Sequence, residues 1–392
     1  MSMTRRALLK ATARGVAGFA CGPVLTSLLG CTPSTPGAPA NLILGGGRYT
    51  DLDTNRIEHF LSIVDLDAKD VSLISLGFLA HGIHIHAGEP NLLAIFEKKG
   101  PHAVEFDLAA RRVTRSIETS KARAFYGHGA YSVDGEHLFA TETVLESLDG
   151  IIAVRDARTH AYLGEFPSYG KEPHECKLID SGRTLVVTNG GGSGSEDAPC
   201  VTYIDVASQN LIERVVMTNT RINTGHTALA SDGALVVVSA PRRGLATTEP
   251  GAVSIRPRGA ALETIANPVS VTGRMQGEAL SVIVQEEAEI AAVTHPDGGM
   301  VTFWSTADRR LLKVIDLPHP RGVTLTHDDE FFVLSYGADP SLMRVEVESL
   351  ELIDDSLVPN TLISGSHIYN WSRGLTEILA PGRMQAAGGV GA

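Results

Sequence analysis

A unit of short predicted β-strands recurs along the chain with a period of about 44 to 52 residues. In its clearest copies a histidine stands six residues before an aspartate and an apolar, β-branched run follows; these copies begin at His128, His174 and His226. The aspartate and a nearby glycine are turn residues between two strands. A second pair of strand-like runs closes each copy. A four-stranded repeat of this length is typical of a β-propeller blade.

Weaker copies of the unit extend the repeat to both ends of the chain. They cover residues 81–118, 277–317 and 321–353. Residues 367–374 repeat only the opening of the unit, and residues 41–76 supply only its later strands. Pairing these two pieces in one blade closes a ring and removes exposed sheet edges. We therefore predict an all-β, seven-bladed propeller with four-stranded blades, formed as a single domain by residues 41–381 and followed by a flexible tail at residues 382–392.

The N-terminal segment carries export signals. Arg5 and Arg6 precede an apolar stretch, residues 16–29, that is too short and too rich in glycine to be a permanent membrane span. A lipobox-like tetrapeptide ends at Cys31, which would then be lipidated; cleavage without lipidation is the alternative. We predict a twin-arginine signal over residues 1–31, a tether over residues 32–40, a periplasmic location, and a lipid anchor as the only contact with a membrane.

The charge and the cysteines narrow the class of partner. A net charge of −12 disfavours nucleic acid and anionic membrane surfaces. Cys176 and Cys200 fall in the propeller region. In an oxidising compartment they could form a disulfide, whereas a cysteine without a partner is usually buried as a small apolar residue. The sequence leaves both alternatives open.

Two positions in each blade direct polar side chains to one end of the central channel. The first opens the inner strand and holds His128, His174, His226 and His367, with His81, His84 and His86 around the equivalent place in another blade. The second ends the next strand and holds Glu97, Glu142, Asn189, His295 and Tyr336. Loops that enter the first strand and leave the second share one face of a propeller. We therefore expect these side chains to converge at the channel mouth.

The histidines and carboxylates at these positions form a donor set that suits iron, copper or zinc, whereas calcium and magnesium prefer oxygen ligands. Alternate residues of a strand point to the same side, so His84 and His86 fit one site. The predicted transition-metal ligands are His84, His86, His128, His174, His226, His295, His367 and Glu142. Iron and copper are favoured as the metal, and zinc is an alternative.

Other interpretations of the same histidines stay open. In tryptophan-aspartate repeat propellers a Gly-His dipeptide makes structural hydrogen bonds within its blade, and His128 and His226 could do only that. The chain has two tryptophans and lacks the tryptophan-aspartate dipeptide, which disfavours this interpretation. A metal-dependent hydrolase of the lactonase type and a protein-binding scaffold without chemistry are further alternatives. No nucleophile elbow is present, so no catalytic residue is predicted and enzymatic activity is left undecided.

Three stretches of the chain resemble a known family. They are Gly-His-Gly-x-x-Ser-x-Asp-Gly at residues 127–135, Glu-Pro-His-Glu with Gly-Arg-Thr-Leu-Val-Val-Thr-Asn-Gly-Gly within residues 172–191, and the early Leu-Ile-Leu-Gly-Gly-Gly. The chain resembles twin-arginine-exported propellers of a domain of unknown function, often encoded beside imelysin-type iron-uptake lipoproteins and a di-haem oxidoreductase. The resemblance implies a periplasmic role in iron or copper handling, with imelysin-like or haem-containing proteins as partners. Residues 276–279 depart from the pattern, because no histidine stands there.

Overall fold

The computed structural model describes residues 2–3, 41–51, 53–194 and 197–379. Most regular elements within these ranges are β-strands. The predicted export signal and tether fall on residues 1–40, and the predicted tail on residues 382–392. Apart from a two-residue strand, β1 (Ser2–Met3), which runs parallel to the end of β2, these segments lie outside the described residues.

The strands form a seven-bladed propeller of antiparallel, four-stranded sheets, as the repeat predicts. Blade 1 contains β29 (Ile368–Asn370), β2 (Leu42–Asp51), β3 (Arg56–Asp65) and β4 (Asp70–Leu76). Blade 2 contains β5 (Ala80–Ile85), β6 (Leu92–Glu97), β7 (His102–Asp107) and β8 (Arg112–Glu118). Blade 3 contains β9 (Arg123–Tyr131), β10 (His137–Val144), β11 (Asp149–Asp156) and β12 (Tyr162–Lys171). Blade 4 contains β13 (Pro173–Ile179), β14 (Thr184–Asn189), β15 (Cys200–Asp205) and β16 (Leu211–Val216).

The remaining three blades follow the same order from the inner strand outwards. Blade 5 contains β17 (Thr227–Leu229), β18 (Leu235–Ser239), β19 (Ala252–Arg256) and β20 (Glu263–Thr264). Blade 6 contains β21 (Val282–Gln285), β22 (Ile290–His295), β23 (Met300–Ser305) and β24 (Leu311–Asp316). Blade 7 contains β25 (Val323–Leu325), β26 (Phe331–Tyr336), β27 (Ser341–Glu346) and β28 (Leu352–Val358).

The ring closes through the C-terminal strand, which confirms the prediction that both ends of the chain share a blade. Strand β29 pairs antiparallel with β2, and Leu44 lies opposite Tyr369. Asn370 strengthens this closure, because its side-chain amide donates to the side-chain oxygen of Asn41 at 2.8 Å and to the carbonyl of Leu325 at 3.0 Å. A Cβ atom on Gly46 would lie 2.1 Å from the carbonyl oxygen of Ala80, so only glycine permits the close approach of blades 1 and 2 there.

Burial falls from the channel axis to the rim of the propeller. The second strands β14 and β22 are buried along their whole length, because neighbouring blades cover both of their faces. The outer strand β16 is mostly exposed. Between blades 6 and 7, for example, Phe303 packs on Phe332 with ring centroids 5.4 Å apart. Full burial of such a side chain stabilises the fold by about 1.5–3 kcal/mol. The apolar core therefore lies between the blades.

Short helices complete the described structure. A 3-10 helix spans Asp180–Gly182, a single turn of α-helix spans Val269–Thr272, and a longer α-helix, Trp371–Leu379, follows β29. Trp371 in the last helix donates its indole N–H to the carbonyl of Pro90 at 2.9 Å. No helix in the described residues has both the length and the apolar character needed to cross a membrane.

The two propeller cysteines are buried thiols in blade 4 and do not form a disulfide with each other. Cys176 lies in β13 and Cys200 in β15, with the strand β14 between them. Burial raises the pKa of both thiols, so neither is activated as a nucleophile or as a thiolate ligand.

Candidate metal centre

Five histidines from five neighbouring blades meet inside the central channel. Each lies in an inner strand or directly before one, and each is buried; they are His81, His128, His174, His226 and His367, which we call the histidine cluster. Four of the five are among the ligands predicted from the sequence. The sixth blade has Ser281 and the seventh has Gly322 directly before the inner strand, so these two blades contribute no imidazole.

Irregular strand pairing turns the first histidines toward the channel axis. His81 lies within a register shift between Ala80 and Ile83, and His174 within one between Pro173 and Cys176. Such bulges re-aim a side chain that regular alternation would direct elsewhere. Gly127 makes room beside them: it has φ +120°, and a Cβ atom there would lie 2.4 Å from Cδ2 of His81.

Hydroxyl groups of the second strands fix the backbone of the inner strands. The Thr141 hydroxyl lies 3.0 Å from the carbonyl of His128 and 3.2 Å from that of His174, and it donates to these acceptors in adjacent blades. Thr188 donates in the same way to the carbonyl of Gly225 at 2.7 Å. The spacing between the imidazoles is therefore set by hydrogen bonds from blade to blade as well as by packing.

The ring nitrogens of the cluster have the spacing of metal ligands. One nitrogen from each of His81, His128, His174 and His226 lies within 4.8 Å of the other three. The Nε2 atom of His81 is 3.5 Å from Nε2 of His174 and 3.4 Å from Nε2 of His226. Tetrahedral ligation with metal–nitrogen distances of about 2.1 Å would separate the nitrogens by about 3.4 Å. These two measured separations therefore match a shared metal ion.

His226 is oriented by a partner outside the cluster. Its Nδ1 atom lies 2.6 Å from the carbonyl oxygen of Leu280. A carbonyl can only accept a hydrogen bond, so Nδ1 carries the proton and Nε2 keeps its lone pair. That Nε2 atom lies 2.7 Å from Nε2 of His367. An imidazole that donates to a backbone carbonyl and presents its other nitrogen to a shared point has the usual arrangement of a histidine ligand.

His128 has no hydrogen-bond partner in the described structure. Both of its ring nitrogens are buried and unpaired, and the residue is 0% exposed. A buried polar group without a partner costs about 1–3 kcal/mol. A structural histidine of the Gly-His type would be expected to satisfy this cost within its own blade. The ring instead packs among the other four imidazoles, at ring-centroid distances that include 4.7 Å to His81 and 5.1 Å to His367.

The surroundings keep the cluster uncharged. Burial, followed by neighbouring imidazoles and the ammonium of Lys98, lowers the pKa of His81, His128, His174 and His367 well below its ordinary value. For His226 the causes of the lowered pKa are burial and then Lys98. The five rings are therefore neutral at pH 7, the protonation state in which imidazole binds a metal.

The structure places His84 and His86 outside the cluster. The Nε2 atom of His84 accepts the backbone N–H of Gly129 at 3.1 Å, although its ring centroid lies only 5.7 Å from that of His128. His86 follows the end of β5, and its Nδ1 atom accepts the backbone N–H groups of Gly88 and Glu89, each at 3.0 Å. Both rings therefore have backbone partners.

The predicted site residues at the ends of the second strands do not reach the cluster. Glu142 binds Arg155 at 2.8 Å and Thr119 at 2.8 Å, and His295 is hydrogen-bonded to Thr302 at 2.9 Å. The other residues at this position also have local surroundings. Asn189 accepts from Ser168, Glu97 accepts the backbone N–H of His102, and Tyr336 packs in the core between blades 6 and 7.

Two features of the centre are missed when the sequence is taken alone. His81 is predicted to lie near the site, yet the alternation of His84 with His86 favours those two residues as ligands. The bulge that turns His81 inward has no evident signal in the sequence. The carbonyl of Leu280, which fixes the tautomer of His226, is likewise invisible in a search for ligand-type side chains.

Comparisons with known proteins agree with the fold. A family model described as Protein of unknown function (DUF1513) matches residues 74–356. No curated protein is detectably similar to the chain in sequence. Kuenenia stuttgartiensis hydrazine synthase has a TM-score of 0.60 at 12% identity, over 75% of this chain and 93% of that chain. Dihydro-heme d1 dehydrogenase NirN in complex with DHE has a TM-score of 0.57 at 13% identity, over 88% of this chain and 78% of that chain. At these identities the likeness is one of fold.

Proposed function

The chain belongs to the DUF1513 family of proteins of unknown function, and from this starting point we propose that it is a periplasmic protein that binds a first-row transition metal, iron or copper, in the centre of its propeller. The histidine cluster would hold the ion. The proposal covers acquisition or handling of the metal and assigns no reaction.

The observation that carries the proposal is the convergence of five buried imidazoles, of which His128 has no hydrogen-bond partner among the described residues. Four ring nitrogens lie within 4.8 Å of one another, and both nitrogens of His128 are buried without a partner. Burying five neutral imidazoles against one another is unfavourable unless something satisfies their lone pairs. A metal ion does this for several rings at once. Imidazole donors suit iron, copper and zinc, with iron and copper favoured by the resemblance described from the sequence.

The proposed location rests on the N-terminal sequence. Arg5, Arg6 and Cys31 support export by the twin-arginine route and a lipid anchor. The route carries folded proteins, which suits a chain that takes up a metal before export. Imelysin-like or haem-containing periplasmic proteins are the proposed partners. The likeness to NirN, a dihydro-heme d1 dehydrogenase, supports the fold alone and does not identify a partner.

Two alternative functions are weaker. A lactonase-like hydrolase would need an oxygen-rich cation site, whereas the cluster consists of imidazoles. A scaffold without chemistry would leave the buried nitrogens of His128 unexplained. Elemental analysis of protein purified without an affinity tag tests the proposal. We expect close to one equivalent of iron, copper or zinc in the wild-type protein and a loss of metal in the His128→Ala/His174→Ala double variant.

A matched control keeps this experiment decisive. His102 and His327 are exposed and lie outside the cluster, so the His102→Gln/His327→Gln double variant should keep the metal. Circular dichroism should show that both variants are folded. Equal metal content in wild type and in the His128→Ala/His174→Ala variant would refute the proposed site.

A further inference from the structure

The candidate ligands of the cluster are all neutral. Among the described residues, the group that could hold a metal contains imidazoles and neither a carboxylate nor a thiol. The nearest buried acid in the sequence, Glu175, is already committed: its Oε2 atom accepts the backbone N–H of Thr227 at 2.7 Å, and its Oε1 atom lies 3.3 Å from Nζ of Lys177. A metal bound by the cluster would therefore keep its full positive charge.

Two lysines act electrostatically on the cluster. Lys98, which directly follows β6, acts electrostatically on all five imidazoles and opposes added positive charge on each of them. Lys177 acts in the same direction on His128 and His226. Its Nζ atom also donates to the carbonyl of Thr227, which holds it beside the channel. The site thus combines neutral ligands, exclusion of water and nearby ammonium groups.

The cost of placing an ion in such a site rises steeply with its charge. Desolvation of an ion scales with the square of the charge, so a monovalent ion costs about a quarter as much as a divalent ion of the same size. Repulsion from Lys98, whose charge acts on all five imidazoles, rises in proportion to the charge. Neutral ligands offer no compensating negative charge. The environment therefore favours a monovalent transition-metal ion over a divalent one.

On this basis we propose that the histidine cluster is a copper(I) site, which binds the monovalent ion in preference to copper(II). Copper is the first-row transition metal with an accessible monovalent ion, and imidazole is one of its usual ligands. The separations of 3.4 and 3.5 Å between Nε2 atoms suit three or four ligands around such an ion. This inference rests on the proposed metal-binding function and specifies the ion.

Competition titrations of the metal-free protein test the inference. Copper(I) is titrated without oxygen against bicinchoninate, and copper(II) in air against nitrilotriacetate. We expect copper(I) to bind at least about a hundredfold more tightly than copper(II). Lys98→Met should narrow this ratio by about tenfold, because it removes one of the repelling charges. Lys313→Met is the matched control, since Lys313 pairs with Glu351 on an outer strand, and it should keep the wild-type ratio.

The outcomes separate the two proposals. Equal or tighter binding of copper(II) in the wild-type protein would overturn the copper(I) inference, and this comparison does not depend on any variant folding. A Lys98→Met variant that folds and keeps the wild-type ratio would overturn the electrostatic basis of the inference. Binding of iron(II) or zinc(II) without binding of copper(I) would overturn the inference and leave the proposed metal-binding function standing. Failure to bind any of these ions would refute both.

Discussion

The Nε2 atom of His367 lies 2.7 Å from the Nε2 atom of His226, although 141 residues separate the two along the chain. His367 directly precedes β29, the strand that closes the ring in blade 1, and His226 directly precedes β17 in blade 5. Blades 1 and 5 are not neighbours in a ring of seven, so this contact crosses the central channel. The strand pairing that closes the propeller therefore also brings His367 into the histidine cluster.

This relationship predicts that metal binding holds the C-terminal strand in place. A metal at about a hundred times its dissociation constant stabilises a native protein by about 2.7 kcal/mol. In His367→Ala we expect at least about 1.4 kcal/mol of this gain to disappear, which corresponds to tenfold weaker binding. The measurement is urea unfolding of both proteins with and without the metal found by elemental analysis. A variant with an unchanged gain would contradict the prediction, and His319→Ala on an exposed loop is the control.

The fold could be predicted because a propeller repeats its local signals. The Asp-Gly turn after His128 and the apolar run of β10 recur in the next blades, so weaker copies could be aligned with clear ones. Closure of the ring followed from the incomplete units at the two ends, and the pairing of Leu44 with Tyr369 confirms it. Each of these signals is local in sequence. The overall arrangement follows because each blade packs beside the next one around the ring.

The candidate site was only partly predictable because its geometry depends on departures from regularity. The alternation rule groups His84 with His86, whereas the register shift between Ala80 and Ile83 turns His81 toward the axis. The repeat alone suggests that residues at the ends of the second strands point along the channel. Glu142 instead forms an ion pair with Arg155 on the neighbouring strand of the same sheet. A single sequence does not reveal such a pairing across strands.

Because the ring nitrogens of His128 are unpaired, we predict that an apolar residue at this position weakens metal binding without lowering the stability of the metal-free protein. Replacing a buried polar group that has no partner by an apolar one removes an unfavourable term. We expect His128→Leu to unfold at the same temperature as the metal-free wild type or at a higher one, and to bind metal at least about tenfold more weakly. Differential scanning calorimetry and metal titration measure the two effects. A strongly destabilised metal-free variant would show that His128 serves the fold.

Glu142 is predicted to stabilise blade 3 without contributing to the metal site. Its carboxylate is buried and paired with Arg155 at 2.8 Å. Removing one partner of a buried ion pair costs about 3–5 kcal/mol, so we expect Glu142→Ala to lose that much stability in urea unfolding. The protein that remains folded should keep its full metal content. The matched control is Glu165→Ala, which removes the more exposed acid paired with Arg123 and should cost less than about 1 kcal/mol.

The burial of His295 predicts that the folded protein loses stability in mild acid. The ring is buried in blade 6 against Thr302, whose oxygen also accepts the indole N–H of Trp304 at 2.7 Å. Burial, and then the charge of Arg274, lowers the pKa of His295 from its ordinary value of 6.5 to about 3. Above pH 6.5 the folded and unfolded states both hold a neutral ring. As the pH falls from 6.5 toward 3, the unfolded chain takes up a proton that the folded protein excludes, and stability is lost.

The size of this effect can be measured by replacing the ring. In the window between pH 6 and pH 4, one such histidine lowers the free energy of unfolding by about 1.4 kcal/mol per pH unit. We expect His295→Gln to reduce the slope of unfolding free energy against pH by about that amount, whatever its effect on stability at pH 7. Urea unfolding of the metal-free proteins at several pH values gives both slopes, with His327→Gln on the surface as the control. An unchanged slope in His295→Gln would mean that the folded protein accepts the proton on this ring, and that its burial against Thr302 does not keep it neutral.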